Sequence, residues 1–217
     1  MATAIIGSGN IGSVLARRFV DGGEPVVLAS ASGTRASVLA DELGGLARAA
    51  SVNEAVAGAD VIVLALWLNT LTEFVVEHAA QLARKVVIDP SNPVRIDEHG
   101  QMARALPDGE SAAAVITGLL PTSAHYAKAF GTLGAGTLER SAHRQPLAVL
   151  FYAAADAEAE AAVERLIRLA GFEPLHVGGI AAAERLEAPS GDLTEGALNG
   201  EILDLDEART HVIGVAR

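Results

Sequence analysis

Six residues near the start of the chain, Gly7-Ser8-Gly9-Asn10-Ile11-Gly12, constrain the fold more than any other stretch. They follow Ala4-Ile5-Ile6, a short apolar β-run. They open a segment in which Ile11, Val14, Leu15 and Phe19 recur at helical spacing. A strand that turns through G-x-G-x-x-G into an amphipathic helix begins a βαβ unit able to hold a dinucleotide pyrophosphate. The first glycine permits the tight turn, the second lets backbone N–H groups approach the phosphates, and the third lets helix and strand pack closely. The helix N-terminus adds the positive end of its dipole. Gly7, Ser8, Gly9, Asn10 and Ile11 are therefore read as cofactor-binding residues. Glycine is common here, 22 of 217 residues, so the weight lies in the loop's place between strand and helix.

The alternation continues. Val26–Ala29, Leu46–Ala49, Val61–Leu66, Val86–Ile88 and His125–Phe130 read as further strands, separated by helical patterns. The unbroken apolar run of the fourth suits a strand buried on both faces. Past Gly136 come a strand at Pro146–Ala153, a helix at Asp156–Ala170 with Asp156 as N-cap and Gly171 as its stop, and a strand at Pro174–Val177. The expected fold is α/β: a Rossmann-type, doubly wound, mostly parallel sheet with a C-terminal α/β extension packed on it. Residues 1–143 form the nucleotide-binding unit in this reading, and 144–217 the extension.

Composition narrows the function. The chain has no cysteine, which removes disulfides and thiolate chemistry. Its six histidines, at 78, 99, 125, 143, 176 and 211, show no metal-ligand spacing, so no metal site is expected. A formal net charge of −11 disfavours nucleic acid and anionic membrane surfaces as partners. No apolar run approaches the roughly 20 residues of a membrane helix, and the N-terminus has no secretory pattern. A cytoplasmic location is expected.

The stretch Pro25-Val26-Val27-Leu28-Ala29-Ser30-Ala31-Ser32-Gly33-Thr34-Arg35 addresses the choice of nucleotide. About 20 residues after the glycine loop, NAD-binding chains place an Asp or Glu on the ribose hydroxyls. Here there is no acid. Ser30, Ser32, Thr34 and Arg35 instead offer hydroxyls and a guanidinium, the groups that bind a ribose 2′-phosphate. The cofactor read from these residues is NADP(H).

Several motifs together resemble the NADPH-dependent reductases of the deazaflavin coenzyme F-420 and the small NADP-dependent oxidoreductases around them. The animal six-transmembrane metalloreductases carry a similar domain. The matching pieces are "IIGSGNIG" at 5–12, "ADVIVLAL" at 59–66, "VVIDPSNPV" at 86–94, "AHYAKAFGTLGAGTL" at 124–138 and the stretch from Leu147 through "AAAERLE" at 181–187. The resemblance implies NADPH along the C-terminal edge of the sheet, with its 2′-phosphate on the serines, Thr34 and Arg35. It places Leu66 and Trp67 beside the cofactor, and Asn92 and Pro93 near the nicotinamide ribose. It also implies that the C-terminal portion closes the acceptor pocket and contributes to a homodimer. Three positions depart from the pattern: Ala31 where an arginine often follows the serine, Trp67 where residues are usually small, and Gly131 where asparagine is frequent.

Catalytic side chains are not evident. Tyr126 and Lys128, two apart on a strand, share a face but lack the spacing of a Tyr–Lys dehydrogenase pair. Lys128 is read as pairing structurally and His125 as lying at the edge away from the cofactor. Asp204, Asp206 and Glu207 read as a solvated face. Phe130, Gly131 and Thr132 end the sixth strand and are the expected acceptor pocket. Transfer of hydride between two stacked rings needs alignment more than a proton donor. The expected activity is therefore NADPH-dependent hydride transfer to or from a deazaflavin (F-420) or flavin acceptor. The alternatives are reduction of a small carbonyl or imine, and a non-catalytic NADP(H)-binding module.

Overall fold

Strand and helix follow one another as the patterning demands. The computed structural model describes residues 2–215. In chain order the elements are β1 (Thr3–Ile6), α1 (Asn10–Asp21), β2 (Val26–Ala29), α2 (Thr34–Leu43), β3 (Ala47–Ala49), α3 (Val52–Gly58), β4 (Val61–Leu64), α4 (Leu68–Leu82) and β5 (Val86–Asp89). There follow β6 (Val94–Ile96), β7 (Met102–Arg104), α5 (Ala112–Leu119), β8 (His125–Ala129), α6 (Ala135–Ser141), β9 (Val149–Ala154), α7 (Ala157–Leu169) and β10 (Glu173–His176). A 3₁₀ segment, Ile180–Leu186, precedes the last helix, α8 (Leu205–Val215).

Eight strands form one sheet in the order β10-β9-β8-β5-β4-β1-β2-β3, and β6 pairs with β7 in a separate hairpin. Neighbours in the large sheet run parallel except β8 and β9. The chain winds outward from β1 in one direction to β3, then returns to β4 and continues the other way. The strand order therefore reverses between β1 and β4, the crevice where such sheets take ligands.

Both faces are covered. Helices α1, α2, α6 and α7 bury Leu15, Phe19, Leu39, Leu138, Val163 and Leu166 against one face. On the other, α3, α4, α5 and the 3₁₀ segment bury Val56, Leu71, Val75, Ile116 and Leu186. Strands buried on both sides explain runs such as Val61–Leu64, where no side chain reaches water.

Asp156 caps α7 as its position suggested, accepting from the amides of Glu158 and Ala159 at 3.0 Å each. Gly171 follows in the left-handed region at φ 87°. The reversal at β9 was not foreseen. Helix α6 has seven residues and spans about 10 Å, too short to carry the chain back across the sheet after β8. Strand β9 therefore starts at the edge where β8 ends and runs antiparallel. The longer α7 restores a parallel crossover to β10. The hairpin β6–β7 and helix α5, between β5 and β8, are also additions to the sequence reading. The strand expected at Val61–Leu66 ends at Leu64, and the one expected from Pro146 begins at Val149.

Candidate functional site

Gly7 closes β1 with φ 102°, and a Cβ on it would lie 2.3 Å from the Ala65 carbonyl oxygen. A Cβ on Gly12 would lie 1.9 Å from the Gly7 carbonyl oxygen and 3.1 Å from the Ala65 methyl. These two glycines let the loop, helix α1 and the end of β4 touch. Gly9 differs, because a Cβ there would meet nothing within 4 Å. That space lies at the α1 N-terminus, where Gly9 is an N-cap without a side-chain cap and the first turn has no acid. Asn10 is exposed, while Ile11 packs partly against the core.

Two hydroxyls complete the cradle. Ser8 Oγ, in the loop, and Ser30 Oγ, just past β2, are both buried without a hydrogen-bond partner. Buried hydroxyls are normally satisfied, and one left alone marks a place where a polar ligand belongs. A dinucleotide phosphate fits this donor set: free amides, two orphaned hydroxyls and a helix dipole. Beyond Ser30, Ser32, Thr34 and Arg35 are exposed. They surround the N-terminus of α2, whose N-cap Gly33 also gives no side-chain cap and whose first turn has no acid. Arg35 sits in that first turn and is exposed.

The opposite half of the edge is built by β4, β5 and β8. Leu66 is half-buried, with its Cδ2 reaching to 3.1 Å of where a Gly7 Cβ would stand. Trp67, the N-cap of α4, is 52% exposed, so its ring faces solvent beside the C-terminal end of β4 and not the core. Asn92 does not offer a free side chain. Its Nδ2 donates to the Gly131 carbonyl at 2.9 Å and its Oδ1 accepts from the Ala188 amide at 2.7 Å. Pro93 is buried, and its carbonyl accepts from the Ala105 amide at the base of the hairpin.

The expected acceptor pocket is largely closed. Phe130 is fully buried with φ 65°, a turn that carries its ring into edge contact with Phe19 at 5.8 Å between centroids. Thr132 is buried, and its carbonyl accepts from the Glu195 amide. The structure thus gives Phe130 to the core and Thr132 to the joint with the C-terminal segment. Gly131 alone is partly open. A Cβ there would lie 2.6 Å from the Pro90 carbonyl oxygen, which accounts for the glycine.

One cluster escaped the sequence reading. Asp89, the last residue of β5, accepts through Oδ2 from the Tyr126 hydroxyl at 2.7 Å and from Lys128 Nζ at 2.8 Å, and through Oδ1 from the Ser91 amide at 2.7 Å. Glu187 adds a second carboxylate 3.5 Å from Lys128 Nζ. The same carboxylate accepts from the amides of Ala112 and Ala113 at 2.8 Å and from the Ser111 hydroxyl at 3.0 Å, capping α5. Burial opposes ionisation of Asp89. The Lys128 ammonium and the hydrogen bonds from Lys128, Tyr126 and Ser91 outweigh it, holding the carboxyl below the ordinary range. Burial and the Asp89 charge push the Tyr126 phenol well above its ordinary value. Lys128 does pair structurally. The signal was an acid closing the otherwise apolar β5 and a lysine two residues after Tyr126 on β8.

His125 lies at the other end of β8, within 2.9 Å of Asp156 and 3.3 Å of Glu158. Asp204 caps α8 through the amides of Asp206 and Glu207. Among the described residues, no group of three or more His, Asp or Glu side chains could hold a metal ion, and no helix is long and apolar enough to cross a membrane.

Comparison with known proteins agrees with this geometry. Residues 2–93, which hold the glycine loop, the β2 end and Asn92–Pro93, match the family described as NADP oxidoreductase, coenzyme F420-dependent. The chain is 31% identical over 187 residues to the metalloreductase STEAP3 of Rattus norvegicus, an alignment that takes in 85% of this chain but 35% of that protein. The structure of the hypothetical protein SMa0349 from Sinorhizobium meliloti superposes with a TM-score of 0.80 at 28% identity, covering 94% of this chain and 95% of the other. A protein of Arthrobacter sp. FB24, assigned as an F420-dependent NADP reductase, has a TM-score of 0.72 at 21% identity over 83% of this chain and 86% of its own. At that identity the likeness speaks for the fold.

Proposed function

Because residues 2–93 carry the pattern of the F420-dependent NADP oxidoreductases, we propose that this chain transfers hydride between NADP(H) and a deazaflavin (F420) or flavin-type acceptor. The oxidoreductase class rests on the family match. The cofactor reading rests on one observation above all: two buried, partnerless hydroxyls, Ser8 and Ser30, flank a glycine cradle with no acid at the end of β2. When bound, NADPH supplies the hydride. The chain's own part is to hold it. The α1 amides and Ser8 take the pyrophosphate, Ser30 with Ser32, Thr34 and Arg35 takes the 2′-phosphate, and Leu66 and Trp67 flank the nicotinamide half.

The acceptor reading is supported by what the site lacks. Tyr126 and Lys128, the acid-capable side chains nearest the end of β5, are both about 1% exposed and committed to Asp89. A carbonyl or imine reductase needs a donor that can reach its substrate. A flavin-type ring needs mainly a flat, aligned surface. Residues 1–143 serve as the nucleotide unit in this reading, and 144–217 close the acceptor side, where Glu187 and Ala188 already reach the sheet edge. A cytoplasmic homodimer is the setting adopted, since symmetric pairs are the commonest assemblies.

The test is to mix the protein with NADPH and oxidised deazaflavin, and separately with riboflavin-type flavins or a panel of carbonyls and imines, and follow loss of NADPH absorbance. Oxidation with deazaflavin or flavin is the expected result; turnover on carbonyls or imines alone overturns the acceptor assignment. Arg35→Ala checks the nucleotide. A charge-assisted hydrogen bond is worth about 1.5–3 kcal/mol, and the exposed position puts this one at the low end, about tenfold in affinity. NADPH should lose that factor while NADH loses little. Equal losses would remove Arg35 from the 2′-phosphate site.

A further inference from the structure

The buried cluster at the end of β5 is more than a brace between strands. Asp89 and Glu187 bring two negative charges to one Lys128 ammonium, all three at most 3% exposed. Helix α5 offsets part of the excess, since its N-terminus carries about half a positive charge and Glu187 sits on it. The cluster stays net negative by about half a charge. Its place matters. The second half of a doubly wound sheet takes the second nucleotide of a dinucleotide, and Asp89 ends β5, the strand between β4 and β8 in that half. Asn92, three residues on, is bonded directly to Ala188, the neighbour of Glu187.

Hydride donation turns a neutral reduced nicotinamide ring into a cation, the two electrons passing with the hydride to the acceptor. A fixed charge set into a low-dielectric sheet edge acts on that change without having to reorganise. We propose that the Asp89–Lys128–Glu187 cluster favours the oxidised, cationic form of the bound nucleotide, with Glu187 the positioning residue that makes the cluster anionic. This rests on the NADP(H) reading above. Without the Glu187 charge, Asp89 and Lys128 cancel and the α5 dipole leaves the cluster weakly positive, so the sign of the field reverses.

The experiment measures the dissociation constants of NADP⁺ and of NADPH separately, by calorimetry on the intact protein. In Glu187→Gln the ratio Kd(NADP⁺)/Kd(NADPH) should rise about five- to tenfold, the scale of one charge felt through several ångströms of protein. Ala114→Asp adds an anion in the exposed first turn of α5, which has no acid of its own and where the helix N-terminus favours one. It should move the ratio the opposite way, and it decides the matter alone if the Gln variant does not fold. Opposite shifts support the inference. Two affinities that change together, or a ratio unmoved while both nucleotides still bind, show that Glu187 only holds the fold and overturn it. Failure of the unaltered protein to bind either nucleotide overturns the NADP(H) reading and this inference with it.

Discussion

Lys128→Met is expected to destabilise the protein by about 3–5 kcal/mol at neutral pH, the cost of stripping a buried carboxylate of its counter-ion. Methionine is unbranched and only one atom shorter than lysine, so it fills most of the same space and the loss is mainly that of the charge. Asp89 is fully buried and would keep only the hydrogen bonds from Tyr126 and Ser91, while Glu187 would keep its α5 amides. Domains are stable by about 5–15 kcal/mol, so the urea midpoint should fall by about a fifth or more. The pH dependence identifies the cause. In the unaltered protein the folded-state pKa of Asp89 lies below its unfolded value. Its contribution is therefore present above the unfolded pKa, near 4, and is lost as pH falls through the lower folded value. Without Lys128, burial raises the folded pKa instead, so the variant suffers most at neutral pH and least in acid. A cost that does not change with pH would mean that packing, and not pairing, is what Lys128 supplies.

Gly12→Ala should be nearly as damaging, and should abolish nucleotide binding as well. The new methyl would stand 1.9 Å from the Gly7 carbonyl oxygen, a backbone atom that cannot step aside. Helix α1 must lift from β1 and the end of β4, at a cost of about 3 kcal/mol, and its amides leave the cradle. Gly9→Ala provides the contrast. Its Cβ meets nothing within 4 Å and its φ is −79°, so the fold should keep its stability to within about 1 kcal/mol. Nucleotide affinity should still fall, because the methyl enters the space proposed for the pyrophosphate. Thermal melting with and without NADPH separates the two: Gly12→Ala lowers the melting temperature outright, whereas Gly9→Ala loses mainly the shift that the nucleotide brings. If Gly12→Ala melts like the unaltered protein and still binds, the close approach of α1 is not what the third glycine serves.

Local chemistry was legible in the sequence wherever one short segment settled it. The strand–loop–helix turn at β1–α1, the turn from β2 into α2 and the cap at Asp156 each depend on residues within a few positions, and each forms as the local sequence indicates. Features that depend on distant partners were not legible. Glu187 reaches amides 74 and 75 residues away, and no spacing rule announces that. The direction of β9 is decided by the length of α6, a quantity that helix boundaries leave loose by a few residues. Helix α5 was missed because Ala112-Ala113-Ala114-Val115-Ile116 has no polar stripe to give a helical period. Strands β6 and β7 have three residues each, too few for alternation to show. Phe130 misled for another reason: an apolar residue at a strand end suits a pocket wall, but its left-handed backbone turns the ring inward.

The two bonds of the Asn92 carboxamide have a consequence for how this edge moves. They join segments 39 and 96 residues away in the chain, so the ends of β5 and β8 and the segment at Ala188 cannot fray one at a time. Segments tied in this way open together more readily than singly. A ligand arriving there meets a preorganised wall and spends little of its affinity on ordering loops. The other end of the crevice is built differently: Ser32, Thr34 and Arg35 around the start of α2 are exposed, so a ligand there would meet side chains that are free to adjust instead of a braced wall.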